Sequence, residues 1–225
     1  MKFKYPRTPH MAFSQGATSD DRILRSLDDF LGHEVVFTMK MDGENTTLYR
    51  DGFHARSLDS RHHPSRDWLA RFHGQIAHEI PDGWRVCGEN LYARHSIEYE
   101  DLPSYFMGFS VWNDRNVALS WQESHEFMEC LGIVPVPEIA ALSGVFDAQT
   151  PARIQAFLKT LDTEKNEGLV MRFAGEIAYA DFGRSFAKWV RKGHVQTEEH
   201  WMHQAVVPNG LALAQAKNAP HACMK

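Results

Sequence analysis

Cysteine is scarce in this sequence, and its placement argues against a disulfide-stabilised fold. The three cysteines, Cys87, Cys130 and Cys223, are far apart and in no paired spacing. Reduced thiols of this kind are typical of cytoplasmic proteins. Long apolar runs are lacking as well, so no segment approaches a membrane span, and residues 1–7 lack the apolar core of a secretion signal. We therefore expect a cytoplasmic protein that does not enter a membrane.

A general excess of basic residues is also lacking. The formal net charge is −5, whereas nucleic-acid-binding surfaces usually carry an excess of positive charge. Two stretches are nevertheless locally basic. Residues 184–194 contain four Lys or Arg and no acidic residue, and residues 54–73 contain four arginines against two aspartates. This distribution suits a protein that grips a phosphate group locally.

The order of turn residues, β-branched runs and helical periodicities predicts the fold class. Hydrophobic residues make up 43% of the 225 residues, which is enough for one well-buried domain or two small ones. Because the predicted strands cluster as hairpins with helices between them, we expect an α+β fold with antiparallel β-sheets. The predicted strands lie near 34–39, 46–49, 52–57, 84–89, 105–112, 168–173, 176–180 and 186–191. The predicted helices lie near 21–31, 64–76, 120–131 and 150–161.

The segment Lys40-Met41-Asp42-Gly43-Glu44-Asn45 is the strongest single motif. It lies between two strand-like runs, and its Asp-Gly pair predicts a tight turn. The lysine is thereby placed at a strand end, and a lysine amine acts as a nucleophile once it is deprotonated. Taken alone, the hexapeptide also fits a plain hairpin with a solvated lysine.

Five further segments follow in an order that favours the nucleophile. They are residues 57–61 with Arg61, 87–92 with Gly88-Glu89, 104–112, 167–172 with Glu167-Gly168, and 186–192 with Lys188. Together with the Lys-x-Asp-Gly segment, they resemble motifs I, Ia, III, IIIa, IV and V of the covalent nucleotidyltransferases. That superfamily contains RNA ligases, DNA ligases and mRNA capping enzymes. The resemblance spans residues 34–195, and residues 94–97 with the compact spacing make it most similar to nick-sealing RNA ligases.

The resemblance implies a nucleotidyltransferase fold, in which two antiparallel β-sheets with peripheral helices flank a nucleotide cleft. It also implies a division of the chain into two parts. Residues 1–195 are expected to form the adenylyltransferase domain, and residues 196–225 a short helical tail from Gln196 to about Ala205. No OB-fold or full C-terminal domain is expected after residue 195.

The resemblance further implies an ATP-dependent reaction in three steps. A lysine attacks the α-phosphate of ATP to give lysyl-AMP and pyrophosphate, AMP passes to an RNA 5′-phosphate, and a 3′-hydroxyl then displaces AMP. The implied cofactors are ATP and Mg²⁺ or Mn²⁺. The implied partners are RNA ends or a nicked RNA duplex in RNA repair, with an end-healing kinase or phosphatase as a candidate protein partner. The oligomeric state is left open.

Residue roles are carried over at the positions that match the motifs. Lys40 is the expected nucleophile, Lys188 the α-phosphate contact, and Glu167 the metal ligand. Arg61 is the third expected catalytic residue and is preferred to Arg56 because of its separation from Lys40. The expected nucleotide-binding residues are Met39, Asp42, Gly43, Asn45, Glu89, Phe109, Arg172 and Lys192.

The last motif departs from a Lys-x-Lys pattern because Val190 occupies the second lysine position. Either Arg191 or Lys192 remains a candidate for the missing cation. Strict strand alternation would place Lys192 on the same face as Lys188, so Lys192 is preferred.

Two other interpretations remain open from the sequence. One is a different member of the superfamily, a DNA ligase or a GTP-using capping enzyme, since the motifs do not distinguish ATP from GTP. The other is a nucleotide- or RNA-end-binding module without turnover, which the presence of every candidate catalytic side chain disfavours.

Overall fold

A computed structural model describes residues 1–193 and 205–212 of the chain. The chain divides into two compact units. Among the described residues, the first unit comprises Met1–Tyr5, Asp42–Pro135 and 205–212, and the second comprises Pro6–Met41 and 136–193. The boundary at Met41 therefore falls inside the Lys-x-Asp-Gly segment.

Eleven short strands and four α-helices make up the described regular structure. The strands are β1 (Glu34–Lys40), β2 (Glu44–Tyr49), β3 (Gly52–Ala55), β4 (Arg85–Asn90), β5 (Phe106–Trp112), β6 (Val117–Ala118), β7 (Val134–Pro135), β8 (Gly144–Val145), β9 (Gly168–Phe173), β10 (Ile177–Ala178) and β11 (Phe186–Val190). The helices are α1 (Asp67–Ile76), α2 (Trp121–Cys130), α3 (Thr150–Thr160) and α4 (Phe182–Ser185). Short 3-10 turns lie at Asp28–Phe30, Pro64–Arg66, Ala77–Glu79 and Tyr179–Asp181.

The first unit is built on an antiparallel sheet with the strand order β6-β5-β4-β2-β3. The short strand β7 joins it by parallel pairing with β5. Leu48 of β2, Val86 of β4 and Phe106 of β5 are fully buried in one apolar cluster. Leu69 and Ile76 of α1 belong to the same cluster, so the helix covers this face of the sheet.

The second unit contains an antiparallel sheet with the order β11-β9-β1-β8. Residues that face each other across paired strands share a side of the sheet, and neighbours along a strand alternate. Phe37, Leu169 and Trp189 therefore lie on one side, in an apolar cluster with Phe30. Because neighbours along β1 alternate, Lys40 lies on the opposite side of the sheet from Phe37.

The expected α+β class with two antiparallel sheets is confirmed, and most predicted elements lie within two residues of the observed ones. The capping box that opens α2 is present, since the Ser120 side chain accepts from the Glu123 backbone while the Glu123 carboxylate accepts from Ser120. The nucleotide cleft stays a prediction. The predicted helical tail, from residue 196 to about 205, lies largely outside the described residues.

One predicted helix, near residues 21–31, is wrong. The only helical turn in this stretch is the 3-10 turn at Asp28–Phe30. The backbone upstream is paired instead with His10, whose N–H donates to the Arg22 carbonyl at 2.7 Å and whose carbonyl accepts from Leu24 N–H at 2.8 Å. Strand-like pairing with a distant segment therefore replaces local helical hydrogen bonds.

Across residues 1–193 and 205–212, no helix has both the length and the apolar character needed to cross a bilayer.

Candidate active site

Lys40 and Glu167 meet at adjacent strand ends in the second unit. The Lys40 Nζ donates to Glu167 Oε2 at 2.5 Å and to the Met41 carbonyl at 3.3 Å. Antiparallel pairing sets Lys40 opposite Gly168, so Glu167, immediately before β9, is brought to the lysine. The Glu167 side chain is only 5% exposed, against 23% for Lys40. The expected nucleophile and the expected metal ligand are thus in direct contact.

Gly168 is required for the close packing of this site. A Cβ at residue 168 would lie 2.0 Å from the carbonyl oxygen of Trp189 in β11. Any side chain would push β11 away from β9, and β11 is the strand that carries Lys188. Glycine here therefore keeps three strands of the candidate site together.

Lys188 lies on the same side of the sheet as Lys40. The register pairs Lys188 with Val170, and Val170 with Thr38, two residues from Lys40 on β1. The Lys188 side chain is half-buried. Two expected catalytic lysines and the Glu167 carboxylate are therefore brought to one side of one sheet, opposite the apolar cluster.

Two other expected nucleotide-binding residues of this unit, Met39 and Lys192, have different surroundings. Met39 packs on the apolar cluster, so its side chain points away from the side that carries Lys40. Lys192 lies in an exposed turn beyond β11, and the alternation argument that favoured it is wrong because the strand ends at Val190. The backbone N–H of Arg191 donates to the Glu167 carbonyl at 2.9 Å, which keeps Arg191 a candidate.

Arg172 shares the Lys40 side of the sheet but is only 3% exposed. Its guanidinium donates to the carbonyls of Phe173 at 3.0 Å and Gly175 at 3.4 Å. It also lies over the ring of Phe186, 5.4 Å from the centroid. These contacts stabilise the turn after β9 and favour a structural role over the expected phosphate contact.

In the first unit, the Asp42 side chain accepts several hydrogen bonds that fix the turn after Lys40. Its Oδ2 accepts from the Ser96 N–H at 2.8 Å, the Ser96 hydroxyl at 2.7 Å and the Ile97 N–H at 2.8 Å. Its own N–H donates to the Tyr99 hydroxyl oxygen at 2.9 Å. These hydrogen bonds fix the chain that follows Lys40.

Gly43, Asn45 and Glu89 lie together where β2 meets β4. The Gly43 N–H donates to Glu89 Oε1 at 3.3 Å, and a Cβ on Gly43 would lie 2.5 Å from the Asn90 carbonyl oxygen. Asn45 is paired with Glu89, so their side chains share a side of the sheet. The Asn45 Oδ1 is buried and accepts no hydrogen bond from the described residues. An acceptor of this kind fits a donor on a bound molecule, such as a ribose hydroxyl.

Phe109 occupies a bulge in β5. The register passes from the Cys87–Ser110 pair to the Gly88–Gly108 pair, which leaves Phe109 as the extra residue. Its half-buried ring lies edge-on to Tyr5, with centroids 5.1 Å apart. No sequence pattern predicts that Tyr5 lies beside Phe109.

Arg61 is exposed on the loop between β3 and the turn at Pro64–Arg66. The loop is held by Arg66, whose guanidinium donates to the Arg61 carbonyl oxygen and to both carboxylate oxygens of Glu44. The two side chains of this pair are 9% and 10% exposed. Sequence reasoning missed the pair because Glu44 and Arg66, 22 residues apart, both look like solvated charges.

Removing one partner of this pair should destabilise the protein. Arg66→Met leaves the Glu44 carboxylate buried without its counter-charge, which costs about 3–5 kcal/mol. Urea unfolding should show this loss, whereas Arg71→Met, an exposed arginine on α1, should change stability by less than about 0.5 kcal/mol. Equal stabilities of the two variants would contradict a structural role for the pair.

Within the described residues, no group of three His, Cys, Asp or Glu side chains is arranged to hold a metal ion. Mg²⁺ commonly binds proteins through one or two carboxylates and completes its shell with water and substrate phosphate oxygens. The nearly buried Glu167 carboxylate suits that manner of binding, so the donor set fits Mg²⁺ or Mn²⁺ held together with a nucleotide.

Several solved structures that share this fold are described as RNA or DNA ligases. The chain is similar to an archaeal ATP-dependent RNA ligase, with a TM-score of 0.55 and 15% identity over 84% of this chain and 48% of that one. It is similar to a putative ATP-dependent DNA ligase from Aquifex aeolicus (0.55, 19%, 84% and 50%). It is also similar to a Naegleria gruberi RNA ligase mutant with ATP and Mn (0.53, 16%, 84% and 60%). The chain thus has a ligase fold and spans about half the length of these relatives.

The family follows from the sequence itself. No curated protein matches the chain significantly, but the sequence model of the RNA ligase family matches residues 33–190. This match covers most of the chain, and the protein belongs to the RNA ligase family. The matched region includes Lys40, Glu89, Glu167 and Lys188.

Proposed function

We propose that the protein is an ATP-dependent RNA ligase that works through a covalent lysyl-AMP intermediate on Lys40. The observation that carries the proposal is the 2.5 Å contact between Lys40 Nζ and Glu167 Oε2, together with Lys188 on the same side of the sheet. Family membership supports the same reaction. Sealing of RNA ends in repair is the proposed role, in the cytoplasm and with an end-healing enzyme as a candidate partner.

In the first step, the Lys40 amine attacks the α-phosphorus of ATP. A nitrogen–phosphorus bond forms and the bond to pyrophosphate breaks. The ammonium gives up two of its three protons, one before the attack and one after it, and the phosphoramidate nitrogen keeps the third. Glu167 Oε2 already accepts a hydrogen bond from Nζ, so it is the nearest acceptor for a proton that leaves the ammonium. Lys188 is proposed to stabilise the charge that develops on the phosphate oxygens.

A divalent metal, when bound, supplies a positive charge that offsets the charge on the phosphate oxygens. Glu167 is the proposed protein ligand. Its burial suits this role because a carboxylate with little access to water interacts strongly with a cation. Removing the metal with a chelator should therefore stop adenylylation.

The nucleoside is proposed to interact with residues of the first unit. Asn45 Oδ1 and the Glu89 carboxylate supply acceptors for ribose hydroxyls, and Phe109 supplies an aromatic face for the base. The bulge at Phe109 supports this role because bulges commonly redirect a side chain towards a site.

Substituting Phe109 by leucine should weaken ATP binding. Loss of an aromatic face against a purine costs about 1–3 kcal/mol, so the half-saturating ATP concentration should rise by about fivefold or more. The maximal adenylylation rate should change little. Phe182→Leu, at a buried ring stacked on Phe186 in the other unit, is a matched control for aromatic loss. Unchanged ATP dependence in Phe109→Leu would mark its ring as a packing residue.

The decisive experiment for the first step is incubation with labelled ATP or GTP and Mg²⁺, followed by denaturing electrophoresis and mass spectrometry. An AMP adduct from ATP supports an ATP-dependent ligase, whereas a GMP adduct would favour a capping enzyme. No adduct with either nucleotide would favour a binding module.

The substrate is tested by sealing matched nicks that carry RNA or DNA on the 3′-hydroxyl side. RNA should be sealed faster because a 2′-hydroxyl is the feature that a protein can use to tell the two apart. Binding should be phosphate-directed and should weaken steeply with salt, through Arg61, His62, His63 and the basic stretch that begins at Arg184. Equal sealing of both nicks, or tight binding that is insensitive to salt, would favour a DNA ligase instead.

A further inference from the structure

A segment that precedes the family match lies along β11, the strand that carries Lys188. We call residues 9–24 the N-terminal clasp. It forms parallel bridges through His10 to Lys188 and to Ile23. The hydrogen bonds that join the clasp to β11 include Lys188 N–H to the Pro9 carbonyl (2.9 Å), Met11 N–H to the Lys188 carbonyl (2.8 Å), Gly16 N–H to the Val190 carbonyl (2.9 Å) and Trp189 Nε1–H to the Phe13 carbonyl (3.1 Å).

His10 is the centre of the clasp and is fully buried, with 0% exposure. Its Nδ1 lies 2.8 Å from the Ser14 hydroxyl oxygen, which in turn accepts from the Val190 N–H at 2.9 Å. Its Nε2 lies 3.5 Å from Asp21 Oδ2. Because residues paired across strands share a side of a sheet, His10 lies next to Lys188 on the side that carries Lys40.

Asp21 brings a negative charge to this side of the sheet. Its Oδ2 accepts from the Thr18 N–H at 3.0 Å and the Thr18 hydroxyl at 2.9 Å. Burial acts to raise the pKa of the Asp21 carboxyl, but the Thr18 hydrogen bonds and the charges of His10 and Lys188 lower it below its usual value. The geometry places this carboxylate beside His10, the residue that pairs with Lys188.

We propose that Asp21 and His10 are positioning residues for Lys188. The Asp21 carboxylate supplies the counter-charge that orients the Lys188 ammonium. The His10 imidazole is fixed to β11 through Nδ1 and the Ser14 hydroxyl, and its Nε2 lies beside the Asp21 carboxylate. The proposal rests on the function proposed above, in which Lys188 contacts the α-phosphate of ATP. A lysine has a long flexible side chain, so a fixed counter-charge limits the directions in which its ammonium points.

The clasp lies outside residues 33–190, the region matched by the family model. His10 and Asp21 therefore lie outside the matched motifs, whereas Lys188 lies within them. A purely structural brace would hold β11 in place without acting on the Lys188 amine. If Asp21 positions Lys188, removing the Asp21 charge should lower the adenylylation rate only when Lys188 is present. If the clasp is only a structural brace, the loss should not depend on Lys188.

The first experiment measures self-adenylylation of the full chain with labelled ATP. Asp21→Asn, which keeps an acceptor for Thr18, should lower the rate at saturating ATP by about tenfold with a half-saturating ATP concentration within about twofold of wild type. Asp20→Asn, at the exposed neighbour, should match wild type. In a Lys188→Met background, Asp21→Asn should cause no further loss, because the two residues act as one unit. The same fractional loss in both backgrounds, or a wild-type rate for Asp21→Asn, would overturn the proposal.

The second experiment does not depend on activity. Acetic anhydride modifies neutral amines, and a nearby carboxylate favours the charged amine. Mass spectrometry should therefore find Lys188 acetylated several-fold faster in Asp21→Asn than in wild type or Asp20→Asn. His10→Phe should show the same increase, and His10→Asn, which keeps an amide for Ser14, should show a smaller one. Unchanged Lys188 labelling in Asp21→Asn would overturn the positioning role. Absence of a wild-type AMP adduct would instead overturn the proposed function, while the labelling result would still decide whether Asp21 controls Lys188.

Discussion

Replacing Lys40 by alanine is expected to abolish formation of the covalent enzyme–AMP. The substitution removes the amine that would form the nitrogen–phosphorus bond. Glu167, which contacts that amine at 2.5 Å in the wild type, has no nitrogen to replace it. The expected loss is complete to the detection limit. Intact mass after incubation with ATP and Mg²⁺ should show one added AMP on the wild type and none on the variant.

Two further variants make this result specific. Lys40→Arg should also fail, because a guanidinium stays protonated and does not act as the nucleophile. Lys159→Ala, at an exposed lysine in the last turn of α3, should form the adduct at the wild-type rate. Persistence of the adduct on Lys40→Ala, or peptide mapping that places AMP on another lysine, would show that the nucleophile has been assigned to the wrong residue.

Replacing Glu167 by glutamine is expected to give the second largest effect. The amide keeps the size of the side chain but is a poor ligand for Mg²⁺ and a poor acceptor for the lysine proton. The adenylylation rate should fall on the order of 100-fold, with the fold retained. The rate should be followed across a titration of Mg²⁺ and of Mn²⁺.

The matched control for this prediction is Glu164→Gln. Glu164 is exposed, three residues before Glu167 on the same connection, and should tolerate the change. A Glu167→Gln rate that matches wild type at saturating metal would exclude Glu167 as both metal ligand and proton acceptor. A rate that recovers only at high metal concentration would separate the metal role from the proton role.

Local chemistry explains why most elements could be predicted from the sequence. The capping box at Ser120 and Glu123 is formed within four residues, and Pro151 at the start of α3 has no intrahelical hydrogen bond to lose. The alternation of β9 likewise sets Leu169 and Met171 in the apolar cluster. In each case the residues that decide the structure are neighbours in sequence.

The failed helix near residues 21–31 shows the limit of that reasoning. Its N-terminal aspartates and its apolar spacing fit a helix, but Asp21 instead accepts from Thr18 and the backbone on either side of Ile23 pairs with His10. Long-range pairing outweighed a weak local preference. The failure is informative, because this pairing brings Asp21 to His10, which is itself paired with Lys188.

The sequence by itself determined the order of the motifs, the family, the fold class and the strand ends at which Lys40 and Glu167 lie. The tertiary structure alone decided which side chains meet. It joined Lys40 to Glu167 across 127 residues, paired Glu44 with Arg66, turned Arg172 into a turn contact and set the clasp beside Lys188. The reason is physical: hydrogen-bonding periodicity and caps act over a few residues. The partner of a buried charge is set by sheet register and packing, which join segments far apart in the chain.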